Sequence, residues 1–262
     1  MTRPTLLSLA QTLGVSRTTV SNAYSRPEKL SVELRARILA AAREAGYDGP
    51  SPLAASLRTG RTDTVGVLFT DDLGYAFSDP VSSLFLSGLA EQAQEAGLAM
   101  TIVSVPRGKP AGPMSKAMVD GLIVYSVDED SPGIAVAHKR GIPIVTVDQA
   151  PEPGVPSVNI DDRAGGVSAV AHLVGLGHRS IGVIAVAVGT TRCERVPADA
   201  TSRSYVVRER LAGWREATAN ASLPPPVTIS CPSNAREYGH VGVRLLLEAA
   251  PATTAVVCLT DE

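Results

Sequence analysis

The stretch that decides the fold is TLLSLAQTLGVSRTTVSNAYS, residues 5–25. Thr5 suits an N-cap, apolar residues follow at helical spacing, and Gly14 suits the end of that helix. Ser16 suits the N-cap of a second helix, whose Val20, Ala23 and Thr19 share one side. Two short helices joined by a turn with glycine predict a helix-turn-helix motif.

A third predicted helix completes an all-α head, which we place at residues 1–48. It begins at Ser31 and ends at Gly46, and its inner stripe consists of Leu34, Ile38, Ala41, Ala42 and Ala45. Residues 49–61 form a linker rich in proline and glycine that also has helix signals, with a cap at Ser51 and an end at Gly60. A helix of two turns is unstable alone in water, so we expect DNA or a partner subunit to order it.

Beyond residue 62 the pattern changes to apolar strands that alternate with helices. Near-continuous apolar strands of this kind predict parallel sheets covered on both faces. We therefore predict an α/β body of two parallel-sheet subdomains, residues 62–150 and 151–262, which part in an extended crossover at residues 149–157. The predicted strands are 64–69, 98–105, 121–125, 142–148, 157–161, 180–188, 227–230 and 254–259, and the helices lie near 81–96, 163–176, 208–219 and 236–248.

Charge is distributed unevenly along the chain, although the net charge is only −2. Residues 1–61 hold nine Lys/Arg and four Asp/Glu, whereas the remainder holds 15 and 22. A basic head on an acidic body favours phosphate binding at one end. No apolar run is long enough to span a membrane and no secretory leader is visible, so we expect a cytoplasmic protein.

The reactive residue types show no catalytic or metal-binding pattern. Cys193, Cys231 and Cys258 are widely spaced and odd in number, which argues against a disulfide framework and against a zinc site. His172 and His178 have no nucleophile or metal partner at a useful spacing, and we interpret them as structural. We expect neither a cofactor nor enzymatic activity.

The chain resembles the lactose-repressor/galactose-repressor (LacI/GalR) family of bacterial transcription regulators. In the head the resemblance rests on Leu9-Ala10, Gly14-Val15-Ser16, Thr19-Val20-Ser21, Arg35, Ala41-Ala42, Gly46-Tyr47 and the hinge Ala54-Ala55-Ser56-Leu57. In the body it rests on DGLIV (120–124), IPIVTVD (142–148), NIDDRAGG (159–166), HLVGLGHRSIGVI (172–184), RLAGW (210–214) and CLTDE (258–262). Each piece is weak alone, but their order and spacing together are specific.

The resemblance implies a periplasmic-binding-protein-like body and a homodimer that binds a palindromic operator. A small-molecule effector of sugar or nucleoside type, bound between the body subdomains, would control operator affinity. Family members continue past the TDE motif, so we expect the chain to be C-terminally incomplete.

The resemblance also assigns residues to DNA. Arg17, Thr18 and Asn22 match positions that read bases, and arginine and asparagine form bidentate pairs with guanine and adenine. Ser16, Thr19 and Ser21 would cap the helix or contact phosphate. Leu57 matches a leucine that wedges into the minor groove and kinks the duplex. The alternatives are a solvated polar helix face and packing of Leu57 between hinge and body.

For the effector, the resemblance points to Arg210, which opens RLAGW and whose planar guanidinium suits vicinal oxygens. Asp148 and Asp261 follow strands and would edge the same cleft, unless they only cap helices or strand ends. Position and residue type add Tyr75, Phe77 and Asp79 as pocket candidates. We predict a sequence-specific transcriptional regulator, acting as a repressor. The alternatives are a sugar-binding receptor without DNA function and an α/β hydrolase, which lacks an evident nucleophile.

Overall fold

The computed structural model describes residues 4–51, 56–57, 59–69 and 73–260. The chain divides into two compact units, Met1–Thr62 and Asp63–Glu262. Within the described residues, no helix is long and apolar enough to cross a membrane.

The first unit is the predicted three-helix head. Its helices are α1 (Leu6–Leu13), α2 (Arg17–Ser25) and α3 (Val32–Glu44), with a 3-10 turn at Pro27–Lys29. The predicted N-caps Thr5, Ser16 and Ser31 each accept a hydrogen bond from a backbone N–H three residues on. Gly14 ends α1 with φ of 64°, a left-handed conformation that glycine adopts without steric cost.

The head encloses a small apolar core to which all three helices contribute. Its buried members are Leu9, Ala10, Val20, Ala23, Ile38 and Ala42. Arg35 donates to the carbonyl of Ala23 and Arg37 to that of Leu13, so α3 satisfies carbonyls near the ends of α1 and α2. The prediction for Ala45 was wrong: it is exposed, because it is the C-cap and lies past the inner stripe.

The second unit begins with a five-stranded parallel sheet, ordered β2-β1-β3-β4-β5. The strands are β1 (Thr64–Phe69), β2 (Ala99–Ser104), β3 (Gly121–Tyr125), β4 (Ile144–Val147) and β5 (Ser157–Val158). Because β5 pairs with β4, the chain leaves this sheet only after Val158. The predicted division at residues 149–157 therefore lies before the end of the first sheet. The segment looks like a crossover because Pro and Gly interrupt it, but it returns the chain to the same sheet edge.

A second sheet has the order β7-β8-β6-β9. Its strands are β6 (Ile181–Val186), β7 (Glu194–Val196), β8 (Val227–Cys231) and β9 (Ala255–Cys258). The two-sheet architecture confirms the predicted fold class, with one departure: β7 runs antiparallel to β8. Sequence reasoning missed β7, since three residues with two charges give no strand signal.

Helices cover the sheets of the body. They are Leu73–Ser78, Pro80–Glu95, Gly112–Lys116, Pro132–Lys139, Asp162–Gly175, Tyr205–Asn220 and Arg236–Ala249. Three of them, Leu73–Ser78, Gly112–Lys116 and Pro132–Lys139, are short and were not among the predicted helices.

Two glycines set the distance between the helices Asp162–Gly175 and Tyr205–Asn220. A Cβ on Gly213 would lie 2.3 Å from the carbonyl oxygen of Arg163, and one on Gly166 would lie 2.9 Å from that of Arg210. The two backbones can approach this closely only because both positions lack a side chain. This contact brings the start of one helix beside the first turns of the other.

Candidate functional site

The first turn of α2 presents polar groups at the surface of the head. Arg17 and Thr18 are exposed, and Asn22 is half-buried about one turn later. Val20 and Ala23, on the other side of the helix, are fully buried and fix its orientation on the head. The helix therefore has the buried back and polar front that reading a groove requires.

Ser16 and Thr19 are occupied within the helix itself. The Ser16 hydroxyl accepts from the backbone N–H of Thr19 at 3.0 Å, and the two hydroxyl oxygens lie 2.8 Å apart. Ser21 is half-buried, and its carbonyl accepts from the Ser25 hydroxyl at 3.0 Å. The arrangement agrees with a capping role for Ser16.

Leu57 lies in a short helical turn in the linker. There the backbone N–H of Gly60 donates to the carbonyl oxygen of Ser56 at 2.8 Å. Its side chain is 79% exposed. Half of the hinge motif, residues 54–55, lies outside the described residues, as does the candidate Asp261.

In the body, Arg210 is held by two contacts. Its Nε donates to Oδ1 of Asp162 at 2.7 Å, and its Nη1 donates to the carbonyl of Leu259 at 2.6 Å. The Asp162 side chain is 2% exposed, and its second oxygen, Oδ2, has no hydrogen-bond partner among the described residues. A buried acceptor without a partner is unusual and marks a place where a donor would be stabilised.

Asp148 directly follows β4 and has φ of 53°, a left-handed conformation that aspartate tolerates better than most residues. Burial and the nearby charge of Asp162 raise the pKa of Asp148, and the Arg210 guanidinium partly opposes this. Asp148, Asp162 and Arg210 therefore form one electrostatically coupled group, which we call the Arg210 cluster.

Tyr125, at the end of the neighbouring strand β3, stands beside this cluster. Its ring stacks on Phe85 with a centroid distance of 4.2 Å. Burial and the charges of Asp148 and Asp79 raise the pKa of its phenol. An aromatic face and a hydroxyl thus lie near the carboxylates, at the carboxyl ends of parallel strands where ligands bind in open α/β sheets.

The three remaining candidates differ in their surroundings. Asp79 caps the helix Pro80–Glu95 by accepting from the backbone N–H of Ser82 at 2.7 Å. The Tyr75 hydroxyl donates to Asp79 at 3.4 Å, and Phe77 is exposed. Asp79 therefore caps a helix, and its charge also acts on Tyr125.

A separate cavity of about 920 Å³ is lined by segments that follow strands of both sheets of the body. Its charged lining comes from loops of both subdomains: Arg107, Lys109, Asp128, Asp130 and Arg203. Of the predicted effector residues that the structure describes, none lines it. Within this lining Arg203 pairs with Asp130, and Arg208 pairs with the adjacent Glu129 at 2.7 Å, so ion pairs join the subdomains.

Sequence reasoning missed Asp162 and Tyr125. Both lie in segments already singled out, NIDDRAGG and the strand that follows Asp120. In NIDD the first aspartate, Asp161, is the N-cap, and this leaves the second to turn inward toward Arg210. Two adjacent acids at a helix start were the available signal.

Comparison with known proteins agrees with this architecture. Residues 5–49 match the family model described as bacterial regulatory proteins, lacI family. Residues 62–262 match the model described as periplasmic binding proteins and sugar binding domain of LacI family. The HTH-type transcriptional regulator IpsA of Corynebacterium glutamicum is 40% identical over 270 residues, covering 98% of this chain and 75% of that protein.

Solved structures give the same picture. A LacI-family transcriptional regulator from Corynebacterium glutamicum is 34% identical, covers 100% of this chain and 76% of its own, and superposes with a TM-score of 0.67. The transcriptional regulator CelR in complex with cellobiose is 26% identical, with 98% and 74% coverage and a TM-score of 0.62.

The fold and its two sites define a DNA-binding transcriptional regulator with a helix-turn-helix head and an effector-binding body. The chain belongs to the LacI family of bacterial regulatory proteins.

Proposed function

We propose that this chain represses transcription by binding a palindromic operator through α2. The proposal depends on one observation: the first turn of α2 is exposed, while Val20 and Ala23 on the opposite side of the helix are fully buried. Arg17, Thr18 and Asn22 would contact base edges, with arginine on guanine and asparagine on adenine. Ser16, Thr19 and Ser21 would support the helix or touch phosphate, and the exposed Leu57 would enter the minor groove.

A homodimer would supply the two half-sites of the operator. Exposed apolar residues on the helices at the start of the body support this assembly: Leu73, Phe77, Val81 and Leu84. Apolar side chains clustered in this way are typical of an interface. Phe77 belongs to this group, which offers a second role for a residue predicted to line the effector pocket.

The effector would bind at the Arg210 cluster. A ligand with vicinal hydroxyls would receive hydrogen bonds from Arg210 and donate to the unpartnered Oδ2 of Asp162 and to Asp148. Tyr125 would supply an apolar face for a sugar or nucleoside ring. Tyr75 and Asp79 would complete the lining as a donor and an acceptor, and Asp261 stays a candidate from the sequence.

The protein would act in the cytoplasm, where its DNA is, and would not be an enzyme. The relatives are named as transcriptional regulators, which supports this. Its ligand can change operator affinity only through a preference for one of two body arrangements. The ion pairs Arg203–Asp130 and Arg208–Glu129 would hold one of those arrangements.

Fluorescence anisotropy on DNA flanking the gene tests the proposal. We expect affinity to fall steeply with salt on a bound duplex, because arginine and lysine contacts release counterions. Addition of sugars, polyols and nucleosides in turn should identify one that changes the affinity. Absence of a preferred duplex, or binding that does not depend on salt, would refute it.

A further inference from the structure

Two cysteines that are far apart in sequence lie opposite each other in the second sheet. In the antiparallel pair β7–β8, Glu194 lies opposite Ser230 and Arg195 opposite Ile229. Continuing this register by one residue places Cys193 directly opposite Cys231. Directly opposed residues in antiparallel strands have Cα atoms about 4.5–5.5 Å apart. This spacing lies within the range of about 4.4–6.8 Å that a disulfide spans.

Their side chains also converge. The Sγ atoms of Cys193 and Cys231 both donate to the carbonyl oxygen of Tyr238, at 3.5 Å and 3.4 Å. Burial raises the pKa of Cys231 to about 12, and its hydrogen bond and charge interaction with the Cys193 side chain act in the same direction. The two sulfurs therefore lie on the same face of the sheet and interact with each other.

The two thiols differ in access. Cys231 is 1% exposed, whereas Cys193 is half-buried and lines a surface depression with Arg192, Glu194 and Arg195. A small oxidant from solvent therefore reaches Cys193 first. Cys231 is placed to react second, from inside the sheet.

We propose that Cys193 and Cys231 form a reversible intramolecular disulfide when the protein is exposed to hydrogen peroxide. The Cys193 thiol loses its proton, and the thiolate sulfur attacks one oxygen of the peroxide. The O–O bond breaks, a sulfenic acid forms, and the departing hydroxide takes up the thiol proton and leaves as one water. The Cys231 sulfur then attacks the sulfenic sulfur, the S–S bond forms, and the S–O bond breaks. The departing hydroxide takes the Cys231 proton and leaves as a second water. Two thiols lose two electrons in all, and the peroxide gains them.

The disulfide would change the local structure around the helix Arg236–Ala249. It would tie the edge strand β7 covalently to β8 and remove both S–H donors from Tyr238, in the first turn of that helix. Cys231 also lines a cavity of about 280 Å³ with Asn234 and Arg236. Oxidation of Cys231 would therefore change the lining of that cavity.

The third cysteine provides a matched control. Cys258 lies on β9, and β6 separates β9 from β8. Two strand spacings of about 4.8 Å each put Cys258 beyond the roughly 7 Å limit for bridging to Cys231 without backbone movement. The inference does not depend on the proposed DNA or effector function.

The test is to treat the reduced chain with hydrogen peroxide and then titrate its free thiols. We expect the number per chain to fall from three to one and to return to three with dithiothreitol. Non-reducing peptide mapping by mass spectrometry should join the peptides that contain Cys193 and Cys231. Cys258→Ser should still lose two thiols, whereas Cys193→Ser should form no intramolecular link.

The wild-type peptide map decides the matter even if a variant folds poorly. Joined Cys193 and Cys231 peptides support the proposal. It is overturned if Cys193 accumulates as sulfinic acid while Cys231 stays reduced, or if the only disulfides formed contain Cys258.

Discussion

Arg210 and Asp162 join two helices at the point where those helices come closest. The Arg210 Nε lies 2.7 Å from Oδ1 of an aspartate whose side chain is 2% exposed, and the arginine side chain is itself 31% exposed. A buried carboxylate depends on its partner, so removing the arginine leaves a charge without compensation. The same guanidinium belongs to the proposed effector site. Stability and ligand response are therefore linked at this pair.

We predict that Arg210→Ala abolishes the response to effector and lowers the free energy of unfolding of the body by about 3–5 kcal/mol, as for a broken buried ion pair. The double variant R210A/D162N should regain much of that stability but not the response. Anisotropy with and without effector, together with urea unfolding, measures both. Arg163→Ala is the control, because it removes an exposed pair with Glu216. A normal effector response in either Arg210 variant would place the anchor elsewhere.

Gly213→Ala should destabilise the body by about 3 kcal/mol, the upper end of the usual cost of overpacking. The reason is that its Cβ would lie 2.3 Å from the carbonyl oxygen of Arg163. Gly165→Ala is the matched control, since a Cβ there meets no atom within 4 Å. It should stabilise the helix by up to about 1 kcal/mol. Equal unfolding midpoints for the two variants would contradict the close approach.

Asp148 should make stability depend on pH. Burial raises its pKa in the folded state, so the protonated form is favoured there. Its contribution to stability is fully present below the ordinary value of 3.8 and is lost as pH rises through the raised pKa. Asp148→Asn should therefore be more stable than the wild type at neutral pH, and the difference should shrink toward pH 3.8.

Urea unfolding at several pH values measures this difference. Asparagine tolerates the left-handed backbone of residue 148, so the change tests charge and not strain. Asp63→Asn is the control, because Asp63 is also left-handed, with φ of 49°, but is exposed. A gain of the same size at both positions would assign the effect to the backbone.

Arg17→Ala should relax discrimination at one base pair per half-site by about 1–3 kcal/mol, the value of a bidentate contact. Binding to unrelated DNA should weaken much less. Arg43→Ala removes the same charge from the last turn of α3 and serves as the control. Competition with single-base operator variants measures the effect. Equal losses on operator and unrelated DNA would show that Arg17 contacts only phosphate.

Local signals explain why the helical head was predictable. Thr5, Ser16, Ser31 and Gly14 act on backbone groups within a few residues, so their roles can be deduced without knowing the rest of the chain. Strands β1 and β3 were equally clear, since each is a nearly continuous apolar run in the sequence. Strand β7 was not, because its place depends on pairing with β8, more than thirty residues away.

The sequence by itself determined the helix-turn-helix, the α/β body and the polar front of α2, because caps and apolar periodicity are properties of neighbouring residues. Only the tertiary structure decided which carboxylate pairs with Arg210 and which cysteine lies opposite Cys193. Asp162 and Arg210 are 48 residues apart, and their meeting depends on two glycines that let helices touch. Cys193 and Cys231 meet through strand register. Contacts of this kind arise from packing between distant segments, which no local pattern records.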